Sequence, residues 1–284
     1  MTRIDAHQHF WSLARGDYGW LTPELEPIYR DFLPDDLRPL LAEAGIDGTI
    51  LVQAAPTVAE TEFMLGLARD EPYIRGVVGW VDFEDPHAPD EIARLARQPS
   101  LVGLRPMIQD IADDGWMLGE GLVPAFDALI AADLTFDALT LPRHLPALRA
   151  LLARLPNMRT VIDHGSKPMI RDGTMDGWDR DMAALASETP AFCKLSGLVT
   201  EANADWTVDD LRPYVDHLLD TFGPDRLVWG SDWPVCTLAS SYGRWVEVTG
   251  ELLSGLVEDE RSAILGGNAA RAYRLRAPDS ADAE

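Results

Sequence analysis

Short runs of apolar residues alternate along the chain with longer stretches in which apolar residues recur at every third or fourth position. The short runs, such as Thr49-Ile50-Leu51-Val52, are continuously apolar, which is typical of strands covered on both faces. The longer stretches have the period of an amphipathic helix. Strands are predicted over residues 3–10, 48–55, 75–82, 101–108, 134–141, 159–164, 192–197 and 226–231. Helices are predicted over residues 36–44, 60–69, 90–97, 123–132, 145–155, 178–186, 209–221 and 244–256.

Eight predicted strands, each followed by a helix, are the number that closes a (β/α)8 barrel. An open doubly wound sheet would show the same alternation. Such a sheet would also place a glycine-rich phosphate loop after a strand, whereas Gly76-Val77-Val78-Gly79 lies within a predicted strand. We therefore expect an α/β fold, a single-domain TIM-like (β/α)8 barrel over residues 1–275, followed by a disordered C-terminal tail at 276–284.

Two segments depart from the plain alternation. The connection after the first strand, residues 11–34, is long for a compact domain, and such connections are usually functional. It carries Trp11, Tyr18, Trp20 and Tyr29. We expect this connection to cover the mouth of the barrel. The last helical stretch, residues 258–274, contains Gly266-Gly267-Asn268, which should break or cap the helix.

The composition restricts the possible partners and the compartment. Asp and Glu number 47 against 24 Lys and Arg, a formal net charge of -23, and a surface this acidic repels phosphate backbones and anionic lipid. Neither nucleic acid nor a membrane is therefore expected as a partner. The two cysteines have no CxxC spacing and no signal-like segment precedes the first strand, which predicts a cytoplasmic protein. A homo-oligomer remains open.

His7 and His9 lie at the end of the first predicted strand. In a barrel, catalytic groups come from the carboxyl ends of the strands and from the loops that follow them. Alternation along a strand places both imidazoles on the same, inward face. Two imidazoles at this spacing can bind one metal ion together. The alternative is a pair of polar rim histidines without a metal.

Asp232 follows the eighth predicted strand, between Trp229 and Trp233. The apolar run and the two tryptophans predict partial desolvation, which should increase the basicity of the carboxylate. A carboxylate at this position can take a proton from water, or bind a metal ion and orient the water on it. The alternative is an Asp that caps a helix N-terminus.

His164 and Arg105 lie at the ends of the sixth and fourth predicted strands. An imidazole N–H at the rim can polarise a carbonyl or stabilise an oxyanion. A guanidinium suits a carbonyl or carboxylate oxygen. The alternatives are a structural histidine at position 164 and an ion pair between Arg105 and a rim carboxylate.

Further residues near the same rim are candidates for holding a polar ring. Gln53 offers hydrogen bonds, Trp80 offers an aromatic wall, and Trp11 and Trp233 adjoin the His7, His9 and Asp232 motifs. Packing at the rim is the alternative role of Gln53 and Trp80. The tryptophans do not indicate stacking on nucleic acid, because the chain is too acidic.

Three ordered motifs resemble the amidohydrolase superfamily. They are His7-Gln8-His9-Phe10-Trp11, Asp163-His164-Gly165 with Lys167-Pro168, and Trp229-Gly230-Ser231-Asp232-Trp233-Pro234. The likeness runs from residue 3 to about residue 275 and includes Gly267-Asn268-Ala269 in the closing helix. More narrowly, the motifs are similar to the amidohydrolase-2 branch of lactone hydrolases, which contains sugar lactonases and a pyrone dicarboxylate lactonase.

This resemblance implies an enzyme that hydrolyses a lactone ester. Asp232 would be the general base, and His164 together with Arg105 would polarise the lactone carbonyl. His7 and His9 would help to hold the carbonyl oxygen, or would bind one divalent ion, such as zinc, together with Asp232. Catalysis without a metal is also open, because some members of the branch work in that way.

Departures from the superfamily pattern narrow the expected chemistry. The fourth strand has Leu104-Arg105-Pro106 where the binuclear pattern has a metal-bridging lysine, and the fifth strand ends with Asp137 rather than a histidine, so two bridged metals are not expected. A pyrone dicarboxylate would need cationic partners for two carboxylates, which are scarce here. We expect a neutral aldonolactone of the L-fucono or L-rhamnono type as substrate, in sugar-acid catabolism. The alternatives are metal-dependent decarboxylation, hydrolysis of an aromatic-derived lactone such as pyrone dicarboxylate, and a non-catalytic sugar-acid sensor.

Overall fold

A computed structural model describes residues 2–276. Within these residues, eight parallel strands follow one another around the sheet in chain order. The strands are β1 Ile4–Gln8, β2 Gly48–Val52, β3 Ile74–Gly79, β4 Leu101–Leu104, β5 Thr135–Ala138, β6 Thr160–Ile162, β7 Phe192–Leu195 and β8 Leu227–Trp229. All eight predicted strands are confirmed. Each ends earlier than predicted, because its last residues leave the sheet and enter the loops above the barrel.

A helix follows each strand and packs on the outside of the barrel. These helices are α1 Pro34–Ala44, α2 Val58–Asp70, α3 Ala88–Leu95, α4 Val123–Ala131, α5 Leu145–Arg154, α6 Trp178–Glu188, α7 Val208–Phe222 and α8 Tyr242–Leu252. The buried positions of α7 include Leu211, Val215, Leu218 and Phe222, which have helical spacing. The architecture is therefore the expected single-domain (β/α)8 barrel. Among residues 2–276, no helix has the length and apolarity that crossing a membrane requires.

The sheet closes between β1 and the residues that follow β8. Gln8 and Trp233 form a parallel bridge. The main-chain N–H of His9 donates to the carbonyl of Trp233 at 2.7 Å, and the N–H of Asp232 donates to the carbonyl of His7 at 2.7 Å. This seam therefore places the first and the last motif of the sequence side by side.

The amino end of the barrel is covered by the last helical segment. It consists of α9 Glu258–Ser262, a π-helical turn Ala263–Gly267 and α10 Asn268–Ala272, so the predicted interruption near Gly266 is confirmed. The Asn268 side chain donates to the carbonyls of Pro224 and Leu227, and Thr135 at the start of β5 donates to the carbonyl of Ala272. The predicted tail lies outside the described residues except for Arg276.

The long first connection folds back on the barrel as expected. A bridge between Trp11 and Phe32 joins its two ends. Trp11 is fully buried against Phe32, Tyr18 and Trp20, and its indole N–H donates to the carbonyl of Arg30 at 2.8 Å. The indole N–H of Trp20 donates to the carbonyl of Ala54 at 2.7 Å, which fixes the connection to the loop after β2.

Candidate active site

A cavity of about 200 Å³ opens at the carboxyl ends of the strands. Ligand pockets for drug-sized molecules usually measure about 300–1,000 Å³, so this cavity suits a smaller molecule such as a single sugar ring. Its lining consists of His9, Trp20, Ala54, Arg105, Met107, Gln109, Asp110, Leu139, His164, Lys167, Asp232 and Val235.

The Asp232 carboxylate lies among the three predicted imidazoles. Its Oδ1 is 3.2 Å from Nε2 of His9, 3.7 Å from Nε2 of His7 and 4.0 Å from Nε2 of His164. The residues come from the ends of β1, β6 and β8, which are distant in sequence and meet at one edge of the barrel. His9, His164 and Asp232 line the cavity, whereas His7 lies fully buried beneath them.

The hydrogen bonds of His9 define what can lie between it and Asp232. Nδ1 of His9 is 2.8 Å from the carbonyl of Val52, which can only accept, so Nδ1 carries the proton. In a neutral ring, Nε2 then presents a lone pair to the Asp232 oxygen. At 3.2 Å, the two atoms are close enough to share a proton or to bind one metal ion together. Donor atoms of His7, His9 and Asp232 all lie within 4.8 Å of one another, so this set fits one divalent ion.

His164 is held with one ring nitrogen towards the cavity. Nδ1 is 2.9 Å from the Ser196 hydroxyl, and we assign the proton of the neutral ring to Nε2, on the side of Asp232. Gly197 has φ +64°, and a Cβ there would lie 2.5 Å from Nδ1 of His164, so only glycine allows this approach. Burial lowers the pKa of His164 to about 4, so the ring is neutral at neutral pH.

A layer of paired charges lies under the cavity. The Lys194 ammonium is fully buried, 2.6 Å from Asp137, 2.9 Å from Asp163 and 3.1 Å from Nδ1 of His7. The Tyr273 hydroxyl donates to Asp137 at 2.8 Å. Burial alone would raise the pKa of Asp163, but the Lys194 ammonium holds it well below its ordinary value. Burial raises the pKa of Asp137 to about 6, although the same ammonium acts to lower it.

Arg105 connects this layer to the cavity. Its Nε and Nη2 donate to the side-chain oxygen of Gln53 at 2.9 and 2.7 Å, and Nη2 also donates to the main-chain carbonyl of Gln53. Nη1 is 3.3 Å from Asp163 and 3.3 Å from Nε2 of His7. The proposed ion pair between Arg105 and a rim carboxylate is therefore present. Because these contacts engage its N–H groups, Arg105 acts on the cavity mainly through its charge.

His7 lies between two cations, Lys194 at one ring nitrogen and Arg105 at the other. Burial and the Lys194 ammonium lower the pKa of His7 well below its ordinary value, so its ring is neutral. Gly230, which directly follows β8, allows this close packing, because a Cβ there would lie 2.7 Å from the Cβ of His7.

The basicity of Asp232 differs from the prediction. Burial alone would raise the pKa of its carboxyl. The imidazoles, of which His164 has the largest effect and His9 the next, outweigh burial and lower the pKa below its ordinary value. The expected increase in basicity is therefore wrong, because the sequence motif did not reveal three imidazoles around one carboxylate. The carboxylate is ionised at neutral pH, which is the form that a general base requires.

The predicted substrate-binding residues take two kinds of position. Arg105 lines the cavity. Four others are outside the cavity lining. Gln53 is fully buried and accepts hydrogen bonds from Arg105. Trp11 and Trp233 are buried, and Trp80 is half-buried.

Sequence reasoning missed several residues of the site. The cavity lining adds Met107, Gln109, Asp110 and Lys167, and the buried layer adds Asp137, Asp163, Lys194 and Tyr273 as one network. Trp20, from the connection that was expected to cover the mouth of the barrel, also lines the cavity. One signal was available in the sequence, because only two of the 24 basic residues are lysines, at positions 167 and 194. Both lie at this end of the barrel.

Comparisons with known proteins agree with the site geometry. The chain matches the amidohydrolase family model over residues 4–275. It is similar to an L-fucono-1,5-lactonase of Burkholderia ambifaria, with 47% identity over 97% of this chain and 97% of that protein. It is also similar to an L-fucono-1,5-lactonase of Burkholderia multivorans, with 41% identity over 99% of this chain and 98% of that protein.

A solved structure shares the whole architecture. It is an amidohydrolase from Burkholderia multivorans, described with bound zinc, at 39% sequence identity and a TM-score of 0.92. The match covers 97% of this chain and 100% of that one. The similarity therefore extends over nearly the whole barrel, including the strands that carry the imidazoles and Asp232.

Proposed function

Because the chain belongs to the amidohydrolase family, we propose that it is a lactonase, a carboxylic ester hydrolase that opens a sugar lactone to the sugar acid. The names of its lactonase relatives support this reaction. We propose an aldonolactone of the L-fucono or L-rhamnono type as the substrate and small-molecule partner, with a place in cytoplasmic sugar-acid catabolism.

One observation carries the proposal: an ionised carboxylate faces three imidazoles in a cavity the size of one sugar ring. Hydrolysis of a lactone needs a base for water and a donor for the carbonyl oxygen, a few ångströms apart. Asp232 supplies the carboxylate, and Nε2 of His164 is 4.0 Å from its Oδ1. Both groups line the cavity.

The proposed reaction uses these groups in two steps. Asp232 orients a water molecule and takes its proton as the water oxygen attacks the lactone carbonyl carbon. The Nε2–H of His164 donates to the carbonyl oxygen as it becomes negative, and the Arg105 guanidinium adds a fixed positive charge. The bond between the carbonyl carbon and the ring oxygen then breaks. The ring oxygen takes the proton from Asp232 and becomes a hydroxyl group, and the new carboxylic acid ionises.

The donor set also supports one zinc ion, held by His7, His9 and Asp232. The 3.2 Å gap between Nε2 of His9 and the Asp232 oxygen supports this assignment, because both atoms can be ligands of the same ion. A bound zinc ion would act as a Lewis acid in the cavity. If a proton fills the gap instead, His7 and His9 stabilise the carboxylate and the carbonyl oxygen without a metal.

The charge of the cavity favours a neutral lactone over a dicarboxylate. Of its two lining cations, Arg105 is already engaged by Gln53 and Asp163, and Asp110 and Asp232 add negative charge to the same lining. Two substrate carboxylates would therefore lack full partners.

A pH-indicator assay of acid release tests the proposal. The panel contains L-fucono-, L-rhamnono-, L-galactono- and D-arabinono-lactones and the pyrone dicarboxylate, each with and without a chelator. We expect release well above the spontaneous rate for one sugar-lactone series. Loss of activity with chelator and its return with zinc would support the metal, whereas full activity after metal removal would favour metal-free catalysis. No release from any lactone would refute the proposed function, and carbon dioxide from aromatic acids would then be assayed.

A further inference from the structure

The two lysines of the chain both lie at the carboxyl end of the barrel. All the other 22 basic residues are arginines. Lysine differs from arginine in carrying a compact ammonium with three donors that point in different directions, rather than a planar fork. Lys194 uses this property, because its ammonium donates to Asp137 and Asp163 and lies 3.1 Å from Nδ1 of His7. Among residues 2–276, the one carboxylate within 4.0 Å of the Lys167 ammonium is that of Glu201.

Lys167 ends an unusual turn of backbone. Four consecutive residues, His164, Gly165, Ser166 and Lys167, have φ between 52° and 58°, which is the left-handed region. This conformation costs about 1–2 kcal/mol for each residue that is not glycine. Backbone strain of this kind persists only where the surroundings enforce it, and it is concentrated at functional sites.

The surroundings of the turn do enforce it. The N–H of Lys167 donates to the carbonyl of His164 at 2.9 Å, the Ser166 and Thr140 hydroxyls are 2.5 Å apart, and Trp178 donates to the carbonyl of Gly165 at 2.7 Å. A 3-10 conformation has three residues per turn, so side chains three residues apart lie on the same side. His164 and Lys167 accordingly both line the cavity.

The Lys167 ammonium has room to bind a ligand. Among the described residues, its nearest carboxylate is Glu201, with Nζ and Oε1 3.7 Å apart, which is too long for a hydrogen bond. The Lys167 side chain is 23% exposed, whereas that of Lys194 is fully buried. Glu201 therefore directs the ammonium without using up its three donors.

We propose that Lys167 is a substrate-binding residue that donates hydrogen bonds to the hydroxyl groups of the bound sugar lactone. At the 3-10 rise of about 2 Å per residue, Lys167 lies about 6 Å along the turn from His164, so it reaches ring positions away from the carbonyl. Sugar hydroxyls can each accept hydrogen bonds, and the ammonium has three to donate. Lys167 thus selects polyhydroxylated lactones; this inference rests on the proposed lactonase function.

Selectivity measured with two lactones tests the proposal. We compare kcat/KM for L-fucono-1,5-lactone with that for δ-valerolactone, which has the same ring size and no hydroxyl groups. Hydrogen bonds from a charged group correspond to about 10- to 100-fold in affinity. Lys167→Met should therefore lower the sugar-lactone to valerolactone ratio about 10- to 100-fold. Arg180→Met, which removes a cation whose side chain is 77% exposed, is the matched control and should keep the ratio.

Two failures are distinguishable in this design. A wild type that hydrolyses no lactone refutes the proposed function. A wild type that hydrolyses the sugar lactone, with a ratio that Lys167→Met leaves unchanged, refutes only the role of Lys167.

Chemical labelling of the unmodified protein provides an independent test. Reductive methylation with formaldehyde and cyanoborohydride should modify Lys167 and the N-terminal amine, because Lys194 is fully buried. A saturating concentration of L-fuconate, the hydrolysis product, should slow modification of Lys167 at least tenfold and leave the N-terminal amine unaffected. Equal rates of Lys167 modification with and without L-fuconate, at a concentration that inhibits the enzyme fully, would overturn the proposal.

Discussion

The interior of the barrel has two layers that are equally buried and chemically opposite. Within β2, β3, β6 and β8, Ile50, Val78, Val161 and Val228 pack with Tyr273 in one apolar cluster. Towards the carboxyl ends, the inward positions are occupied by charged groups. These groups are Arg105, Asp137, Asp163 and Lys194, and the neutral imidazole of His7 lies among them. Tyr273 spans both layers, since its hydroxyl donates to Asp137.

The comparison shows that one sheet supplies both an apolar core and the charged groups beneath the cavity. The apolar layer is stabilised by burial, and removal of a single methylene group from one of its isoleucines costs about 0.5–1.5 kcal/mol. The charged layer is tolerated only because every charge has a partner, and removal of one charge leaves another buried without compensation. We therefore expect a small substitution in the apolar layer to cost little stability and no activity, and removal of a charge from the charged layer to cost much more stability.

The largest effect is expected at the carboxylate above the charged layer. Asp232→Asn removes the proposed general base and should lower kcat by about 10²- to 10⁴-fold, because the amide cannot take the proton from water. The change is measured by initial rates of acid release. Asp110→Asn removes a negative charge from the same cavity lining and should have a far smaller effect. Similar losses in the two variants would contradict the assignment of Asp232.

Within the charged layer, Lys194→Met should lower the free energy of unfolding by about 3–5 kcal/mol. The substitution leaves Asp137 and Asp163 buried without their common ammonium, 2.6 and 2.9 Å away. Urea denaturation of both proteins at neutral pH measures the difference. A variant as stable as the wild type would show that the layer does not depend on this charge pairing.

A pH-dependent effect is expected at His164. Burial lowers its pKa in the folded protein to about 4, from the ordinary 6.5, so below pH 6.5 the unfolded chain binds a proton that the folded protein does not bind. This group therefore costs stability increasingly as the pH falls from 6.5 towards 4. The cost at pH 5 is about 2 kcal/mol by linkage.

Replacement of the imidazole should remove this cost. The stability of His164→Asn relative to wild type should rise by about 2 kcal/mol between pH 7 and pH 5, measured by urea denaturation at both values. Taking the difference cancels the opposite contribution of buried carboxyls such as Asp5, whose pKa burial raises to about 6. The same difference at both pH values would exclude a buried neutral imidazole.

The smallest effect is expected in the apolar layer. Ile50→Val removes one buried methylene group and should cost about 0.5–1.5 kcal/mol of unfolding free energy. Because Ile50 contributes no polar atom to the site, kcat and KM should stay at wild-type values. A large loss of kcat in this variant would mean that the two layers are not separable.

The fold was predictable from the sequence because its determinants are periodic. Continuous apolar runs and helical spacing gave all eight strands and their helices, and the glycines near Gly266 gave the interruption of the last helical segment. The strand ends were overestimated, because residues such as Ala54 and Ala55 remain apolar after β2 has ended. Apolar sequence marks burial, and it does not show where hydrogen bonding to the neighbouring strand stops.

The candidate site was predictable only in part. His7, His9, His164 and Asp232 stand at strand ends, and the barrel closure brings those ends together. The role of Gln53 was not predictable, because its partner Arg105 is 52 residues away in sequence and the contact depends on the loop geometry. The lowered pKa of Asp232 also depends on three-dimensional proximity to the imidazoles.

The most direct test of the central claim is hydrolysis of L-fucono-1,5-lactone in ¹⁸O-labelled water, with the position of the label read by mass spectrometry. Attack of water on the carbonyl carbon predicts one ¹⁸O atom in the carboxylate of the product, with unlabelled ring oxygen in the new hydroxyl, at a rate well above that of buffer alone. A rate equal to that of buffer, or label in the hydroxyl group, would contradict lactone hydrolysis by water that Asp232 activates.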